Sequence, residues 1–238
     1  MAAKLCDCTL NLAALFSGGK DSTFAIYKEK QKGNNTICAV SVFPKSDEST
    51  FLHYPNIEIT KLQARSMNLP HLFGKTDSNN VETEMQEIEK LLGQAKKEHS
   101  IDGLVHGGIL SKFQKERFEK IGSKLNLKIS SPLWEINQKE YLKDLIASRF
   151  RFIITSVSSA GLDESWLGKE ITMEEIEKLE NLSTQHGFNL SFEGGEAETL
   201  VLDCPLFSWP IKIIDSKKSW DGYRGRFEIT QAILENNA

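Results

Sequence analysis

This sequence of 238 residues lacks long apolar runs, C-x-x-C pairs and an excess of positive charge, and each lack argues against one class of protein. No apolar run reaches the roughly 18 residues that a membrane-spanning helix needs, so we expect no membrane association. The four cysteines include no C-x-x-C pair, which favours reduced and buried thiols over a zinc site. A net charge of −4 argues against stable nucleic-acid binding, which normally needs a basic face.

The remaining composition is that of an ordinary globular protein, with 39% hydrophobic and 26% charged residues. The amino-terminal segment carries Lys4, Asp7 and Asn11 and lacks a clean apolar core before a cleavage site. This segment is more typical of the first strand of a domain than of a signal peptide, and we expect a cytoplasmic protein.

Segments typical of strands and helices alternate along the first half of the chain. We predict strands over 10–16, 36–43, 69–73 and 103–106, and helices over 22–32, 59–67, 82–99 and 111–125. Repeated alternation with short connections predicts an α/β fold, in which helices cover both faces of a parallel sheet.

The pattern changes after about residue 130. We predict a helix over 138–148 and a strand over 152–157. Thr172 and Glu175 have the spacing of a capping box, which predicts the start of a helix that ends near His186. Short β-like runs follow at 199–202, 211–214 and 226–230. We therefore predict one domain over 1–130 and a smaller α+β domain over 131–238.

The most informative segment is the string S-G-G-K-D-S, which lies between a predicted strand and a predicted helix. Gly18 and Gly19 have no β-carbon, so the backbone can wrap closely around a phosphate at the helix N-terminus. The hydroxyls of Ser17 and Ser22 add donors, and Lys20 adds a positive charge. A plain strand-to-helix turn is the alternative for two adjacent glycines, but the full string is more specific.

Two better-known phosphate loops are absent from the sequence. A Walker A loop ends in Gly-Lys followed by Ser or Thr, whereas Asp21 follows Lys20 here. The string Gly74-Lys75-Thr76 ends correctly, yet Leu69 occupies the position of the first glycine. No G-x-G-x-x-G string occurs, so the dinucleotide fingerprint is also missing.

The string S-G-G-K-D-S after L-A-A-L-F resembles the pyrophosphatase-loop (PP-loop) signature of the N-type ATP pyrophosphatases. This resemblance implies a Rossmann-like, HUP-type sheet, with 1–130 as the nucleotide-binding domain. It also implies that ATP is cleaved between the α and β phosphates and that the departing pyrophosphate is held on the loop. The donors and the positive charge of the loop suit this role, because they stabilise charge that grows on the leaving group.

Two later segments carry polar residues that such a site could use. Gly107 and Gly108 follow the fourth predicted strand, where α/β sheets bind ligands. Ser111, Gln114 and Arg117 are spaced by three and line one edge of the next helix. A solvated polar first turn is the alternative for this trio.

The second segment places three carboxylates within six residues, at Glu193, Glu196 and Glu198, around the double glycine Gly194-Gly195. Core packing does not explain such a cluster, because carboxylates are almost never fully buried unless they are paired. A solvated acidic turn is the ordinary alternative.

Together and in this order, these strings closely resemble the diphthine–ammonia ligase family, from Leu12 to about Ile214. Several members of that family carry Cys-Gly before the E-G-G-E string and Tyr inside it. This chain has Ser191-Phe192 and Ala197 at those places. The difference excludes a catalytic thiol there and leaves the finer substrate contacts open.

The resemblance implies a ligase that uses ATP and Mg²⁺ to amidate diphthine on translation elongation factor 2 with ammonium. Lys20, Asp21 and Glu196 are then catalytic residues, and Asp21 is also the magnesium ligand. The residues assigned to ATP binding are Ser17, Gly18, Gly19, Lys20, Asp21, Ser22, Val40, Ser41, Phe43, His53, Gly107 and Gly108. The residues assigned to substrate binding are Ser111, Gln114, Arg117, Trp134, Glu193, Gly194, Gly195, Glu196, Glu198 and Thr199.

Several alternatives stay open at this point. A structural role at the helix start is the alternative for Asp21, and a cap on a loop turn is the alternative for His53. An ATP pyrophosphatase that modifies transfer RNA would normally add cysteine pairs or basic RNA-binding domains, which this sequence lacks. A protein that binds ATP without turnover is a further alternative. The sequence also leaves open whether the protein forms a homodimer.

Overall fold

The structure is a computed structural model that describes residues 9–43, 56, 58–77 and 80–235. The candidate nucleotide contact His53 therefore lies outside the described residues, as do Cys6 and Cys8. Among the helices of the described ranges, none has the length and apolar character needed to cross a membrane.

Five parallel strands and their crossover helices form the first half of the fold. The strands are β1 (Asn11–Leu15), β2 (Asn35–Phe43), β3 (His71–Lys75), β4 (Gly103–Val105) and β5 (Lys128–Ser130). The helices are α1 (Lys20–Gln31), α2 (Ile59–Ser66), α3 (Val81–His99) and α4 (Lys112–Leu125). The strands pair in the order β3-β2-β1-β4-β5, which confirms the predicted Rossmann-like α/β sheet.

The central strands are apolar along their length because helices cover both faces of the sheet. Leu12, Ala13 and Val40 are fully buried. Helix α3 packs against β2 and β3, and it buries Ile88 and Leu92 from the apolar stripe that the sequence predicts.

Two predicted starting points in this half are wrong by two residues, and one strand was not predicted, for identifiable reasons. Helix α1 begins at Lys20 and not at residue 22, because Gly19 is already its N-cap. Strand β3 begins at His71 and not at residue 69. The Leu69 N–H donates to the Ala64 carbonyl at 2.9 Å, so Leu69 still belongs to the end of α2. Strand β5 was not predicted, since three residues carry too short a pattern.

The second half contains a separate antiparallel sheet, as expected for an α+β unit. Its strands are β6 (Arg151–Val157), β7 (Ala197–Asp203), β8 (Ile211–Trp220) and β9 (Gly225–Leu234), paired in the order β7-β6-β9-β8. Helices α5 (Gln138–Ala147) and α6 (Met173–His186) accompany this sheet. Strands β8 and β9 are longer than the short runs that the sequence predicts.

The two halves share their largest hydrophobic core. Phe24 of α1 lies 5.6 Å from the Tyr141 ring of α5 and 5.1 Å from the Phe150 ring, measured between ring centroids. Because these rings are buried together, the second half is held firmly against the first.

The capping box predicted at the start of α6 takes a different form. Thr172 is the N-cap residue, but its side chain does not accept a backbone N–H. Its hydroxyl donates instead to the Glu175 carboxylate, which Lys169 also approaches at 3.3 Å. A charged acceptor makes a stronger hydrogen bond than a neutral one, so the hydroxyl serves the carboxylate.

Candidate active site

The strand order reverses at the carboxyl end of β1, and we call the region between the loops that follow β1 and β4 the crevice. The chain leaves β1 towards β2 on one side, while β4 pairs with β1 on the other side. Open α/β sheets bind ligands at such a reversal point, because the two loops that leave the strands diverge there. The S-G-G-K-D-S loop follows β1, and the Gly107-Gly108 loop follows β4. The topology therefore brings these two predicted segments to one crevice.

The loop after β1 is braced by its own serines. The Ser17 and Ser22 hydroxyl oxygens lie 3.2 Å apart, and Ser22 Oγ also accepts the Ser17 N–H at 3.3 Å. Gly19 is the N-cap of α1 and has no side chain with which to cap the helix, and the first N–H, that of Lys20, donates to Thr199 of β7. The first N–H groups of a helix lack acceptors within the helix, so they are directed at any anion in the crevice.

Strand β7 of the second sheet docks on this loop. The Gly18 carbonyl accepts the Val201 N–H at 3.0 Å and Gln63 Nε2 at 2.9 Å, and Gln63 Nε2 also donates to the Val201 carbonyl at 2.7 Å. The Lys20 N–H donates to Thr199 Oγ1 at 3.1 Å. Gly18 has a φ of +79°, and a β-carbon there would stand 2.3 Å from Gln63 Oε1. Glycine is therefore required at this position by both conformation and space.

The side chain of Lys20 is buried, with 1% of the residue exposed. Its ammonium group donates to both Asp21 carboxylate oxygens at 2.9 Å and to the Ser191 carbonyl at 2.6 Å. The Tyr141 hydroxyl donates to Asp21 Oδ1 at 2.6 Å, and burial raises the pKa of Tyr141 well above its ordinary value. Tyr141 therefore stays a donor, and Asp21 is oriented from two sides.

The loop after β4 lies directly against the first turn of α1. A β-carbon at Gly107 would stand 2.5 Å from the Asp21 carbonyl carbon, so only glycine allows this approach. His106 Nδ1 accepts the Gly108 N–H at 3.1 Å, which leaves its proton on Nε2 facing Ser131 Oγ at 2.6 Å. Burial lowers the pKa of His106 to about 4, so the ring is neutral near pH 7.

Residues 193–199, which we name the acidic segment, close the crevice from the second half of the chain. Glu193 Oε1 accepts the N–H groups of Ile109 at 3.0 Å and Leu110 at 3.3 Å. Burial raises the pKa of Glu193, and the nearby Asp21 charge adds to that effect. Glu196 Oε1 accepts both the backbone and the side-chain N–H of Asn189, at 2.9 and 3.0 Å.

The comparisons with known proteins agree with this arrangement. Family models described as the diphthamide synthase N-terminal and C-terminal domains match residues 10–129 and 137–234. The diphthine–ammonia ligase of Homo sapiens is 34% identical over 88% of this chain and 84% of its own length. The diphthine–ammonia ligase of Mus musculus is 33% identical over 88% of this chain and 85% of its own length. The chain belongs to the diphthine–ammonia ligase family. The Schizosaccharomyces pombe ligase is 31% identical over 87% of this chain and 37% of its own length.

One solved structure is also similar to this member of the ligase family. It is a predicted subunit of tRNA methyltransferase from Methanocaldococcus jannaschii, with a TM-score of 0.41 and 16% identity over 82% of this chain and 97% of that chain. A similarity of this size carries no argument about function.

The start of α4 lies beside the crevice of this ligase-family protein, but its polar residues have local partners. Ser111 is the N-cap of α4, and its hydroxyl accepts the Gln114 N–H at 3.3 Å. The Arg117 guanidinium carbon stands 3.3 Å from the centroid of the Phe113 ring. Lys115 Nζ stands 4.3 Å from the centroid of the half-buried Trp134 ring. One face of Trp134 is therefore already occupied by a cation.

The candidate adenine contacts on β2 differ in their accessibility. Val40 and Ser41 are buried within the sheet, and the Ser41 hydroxyl donates to the Phe16 carbonyl at 2.5 Å. Phe43 ends the strand and is half-buried. Of the three residues, Phe43 therefore has the side chain best placed to contact a base.

The described part of the chain contains no group of three or more His, Cys, Asp and Glu side chains that could hold a metal ion. Cys38 and Cys204 are free and buried, and burial raises the pKa of both thiols to about 12, as expected for inert cysteines.

Sequence reasoning missed three residues that hold this site together, namely Gln63, Tyr141 and Ser191. Each contacts the loop after β1 through a side chain or carbonyl that lies far away along the chain. Tyr141 and Gln63 lie on ordinary helices, so no local pattern distinguishes them. Only the position of Ser191 beside the acidic segment gave a signal.

Proposed function

We propose that this protein is a diphthine–ammonia ligase, which amidates the diphthine carboxylate of translation elongation factor 2 with ammonium. ATP is consumed, and AMP and pyrophosphate are released. The observation that carries this proposal is the S-G-G-K-D-S loop at the reversal point of the sheet, in a chain of this family. Elongation factor 2 acts in translation, so the proposed reaction belongs to the cytoplasm.

The β and γ phosphates of ATP would bind the loop after β1. The N-terminus of α1 would offer the N–H groups of Asp21 and Ser22 to them, since the Lys20 N–H already donates to Thr199, and Ser17 and Ser22 would offer hydroxyls. The adenine would lie at the end of β2 against Phe43, with Gly107 and Gly108 lining the opposite loop. Together these groups stabilise the negative charge that grows on departing pyrophosphate.

Asp21 fits the role of a magnesium ligand. Its side chain is 30% exposed, unlike its buried partner Lys20, so the carboxylate still meets solvent. Magnesium in nucleotide sites is commonly held by one or two carboxylates and the phosphates themselves. When bound, the ion would neutralise phosphate charge, while Lys20 and Tyr141 keep the Asp21 carboxylate in place.

The reaction would proceed through an acyl-adenylate. The diphthine carboxylate attacks the α-phosphorus, pyrophosphate leaves, and ammonia then displaces AMP to form the amide. Glu196 would take a proton from ammonium, because its Oε1 is fixed by Asn189 and its buried Oε2 has no hydrogen-bond partner in the described structure. The closed contact between the two halves of the chain would keep water away from the adenylate.

The protein substrate would enter between α4 and the acidic segment. Glu196 and Glu198 would attract the trimethylammonium of diphthine, and Trp134 would contact it if Lys115 moves aside. Ser111, Gln114 and Arg117 at the start of α4, with Gly194, Gly195 and Thr199 of the acidic segment, would line this entrance. We propose that 1–130 forms the nucleotide-binding domain and 131–238 the substrate domain.

One assay tests the proposed function against its alternatives. The protein is incubated with ATP, ammonium and diphthine-bearing elongation factor 2, and AMP release and the small mass decrease of the factor are followed. Both should occur together, and Ser22→Ala should abolish both while Ser165→Ala, an exposed serine elsewhere, retains them. AMP formed only with transfer RNA would favour a tRNA-modifying enzyme, and ATP binding without AMP would favour a binding protein.

A change in sedimentation with concentration would establish a homodimer.

A further inference from the structure

Three consecutive residues contact both loops of the crevice, and we name Ser191, Phe192 and Glu193 the clasp segment. The Ser191 carbonyl accepts Lys20 Nζ from the loop after β1, at 2.6 Å. The Glu193 carboxylate accepts two N–H groups from the loop after β4, those of Ile109 and Leu110. The second half of the chain therefore bridges the two loops within one short segment.

The backbone of the clasp segment is strained. Phe192 has a φ of +63°, a region that bulky L-residues rarely adopt, and it is 5% exposed. Its ring lies 5.4 Å from Lys20 Nζ and stacks on Phe188 with a centroid distance of 6.3 Å. Strain of this kind persists only where the surroundings fix the conformation, and it often marks a functional segment.

The loop after β4 is shaped by two side-chain acceptors, one from the loop itself and one from the second half of the chain. Its successive N–H groups at Gly108, Ile109 and Leu110 are taken by His106 Nδ1 and by Glu193 Oε1. Gly107, at the start of the same loop, is in backbone contact with Asp21. Any movement of the loop therefore moves the groups that face the first turn of α1.

We propose that Glu193 is a positioning residue that fastens the loop after β4 to the clasp segment and so sets the spacing of the two loops around the nucleotide. Glu193 acts as a hydrogen-bond acceptor, and the length of its side chain is what this role requires. Its negative charge does not bind the trimethylammonium group of diphthine. The kinetic consequences rest on the proposed function, whereas the contact itself does not.

Two substitutions separate the effect of side-chain length from the effect of charge. Glu193→Gln keeps the side-chain length and an acceptor oxygen but loses the charge. Glu193→Asp keeps the charge, but its side chain is one methylene too short. Amide exchange of Ile109 and Leu110, measured by NMR, should be about tenfold faster in Glu193→Asp and in Glu193→Ala, and within about threefold of wild type in Glu193→Gln. If Glu193→Ala does not fold, the Gln and Asp variants decide the question alone.

Kinetics give the second readout. Glu193→Asp should raise the KM for ATP and lower kcat, with the KM for elongation factor 2 unchanged, and Glu193→Gln should recover most of the activity. Glu174→Ala, which removes an exposed carboxylate on α6, serves as the matched control.

A Gln variant with a raised KM for the factor, beside an Asp variant like wild type, would show that charge matters and would overturn the proposal. So would unchanged amide exchange in Glu193→Ala. Absence of amidation by the wild-type protein would contradict the proposed function, while the exchange data would still decide the role of Glu193.

Discussion

At the scale of single residues, the ammonium group of Lys20 connects three parts of the molecule. It pairs with its neighbour Asp21, donates to the Ser191 carbonyl 171 positions away, and lies over the Phe192 ring. All three of its N–H donors are thus used inside the protein. In the proposed function, Lys20 would therefore act on a bound phosphate by orienting Asp21 and by adding positive charge beneath the loop.

Lys20→Met should separate these roles, because it keeps the length and apolar contacts of the side chain. We expect the free energy of unfolding to fall by about 1–3 kcal/mol, less than for a fully buried pair because Asp21 still meets water. AMP formation should be lost at temperatures where the variant remains folded. Urea denaturation measures the first effect and AMP release the second. Full AMP release by the folded variant would remove Lys20 from the reaction.

At the scale of elements, the start of helix α6 has a predicted dependence on pH. The hydrogen bond from Thr172, followed by that from Lys169, lowers the pKa of Glu175 from 4.5 to about 2. The folded protein therefore binds this proton less tightly than the unfolded chain does. The resulting stabilisation is fully present above pH 4.5 and is lost as the pH falls towards 2.

Thr172→Ala should lower the free energy of unfolding by about 1 kcal/mol near pH 7. The difference from wild type should shrink as the pH falls from 4.5 towards 2, because protonated Glu175 no longer gains from the hydroxyl. Thr184→Ala, in the same helix but bonded only to the Glu180 carbonyl, provides the control. Denaturation curves at several pH values measure this, and a difference that does not vary with pH would contradict the assignment.

The contact between the loop after β4 and helix α1 gives a second prediction at this scale. In Gly107→Ala, the new β-carbon would meet the backbone of Asp21 at 2.5 Å, so the two loops must move apart and AMP formation should fall at least tenfold. Gly93→Ala is the matched control, because nothing lies within 4 Å of its new β-carbon. That change within α3 should raise stability by about 0.5–1 kcal/mol and leave activity unchanged. Equal activity in the two variants would contradict the tight contact.

At the scale of the whole molecule, the sequence predicts what depends on local pattern. The parallel sheet follows from alternating strands and helices, and the loop at its reversal point follows from S-G-G-K-D-S. The docking of the second sheet does not follow, because it depends on contacts such as Gln63 with Val201 and Lys20 with Thr199, across 138 and 179 positions. Periodicity carries no information about such pairs.

Because periodicity does not predict partners that lie far apart in the chain, the sequence explains the acidic segment only in part. Its carboxylates predict a polar site, but their partners decide their roles. Glu193 meets backbone N–H groups, while Glu196 meets Asn189. Identical residue types in one motif therefore serve different purposes, and only the folded chain separates them.

In the proposed function, the loop after β1 holds the pyrophosphate half of ATP. The most direct test is a crystal structure with Mg²⁺ and the α,β-methylene analogue of ATP, which cannot be cleaved between those phosphates. We expect β- and γ-phosphate oxygens within about 2.7–3.2 Å of N–H groups from residues 18–22, with Asp21 towards the metal. A nucleotide whose phosphates lie away from this loop would contradict it.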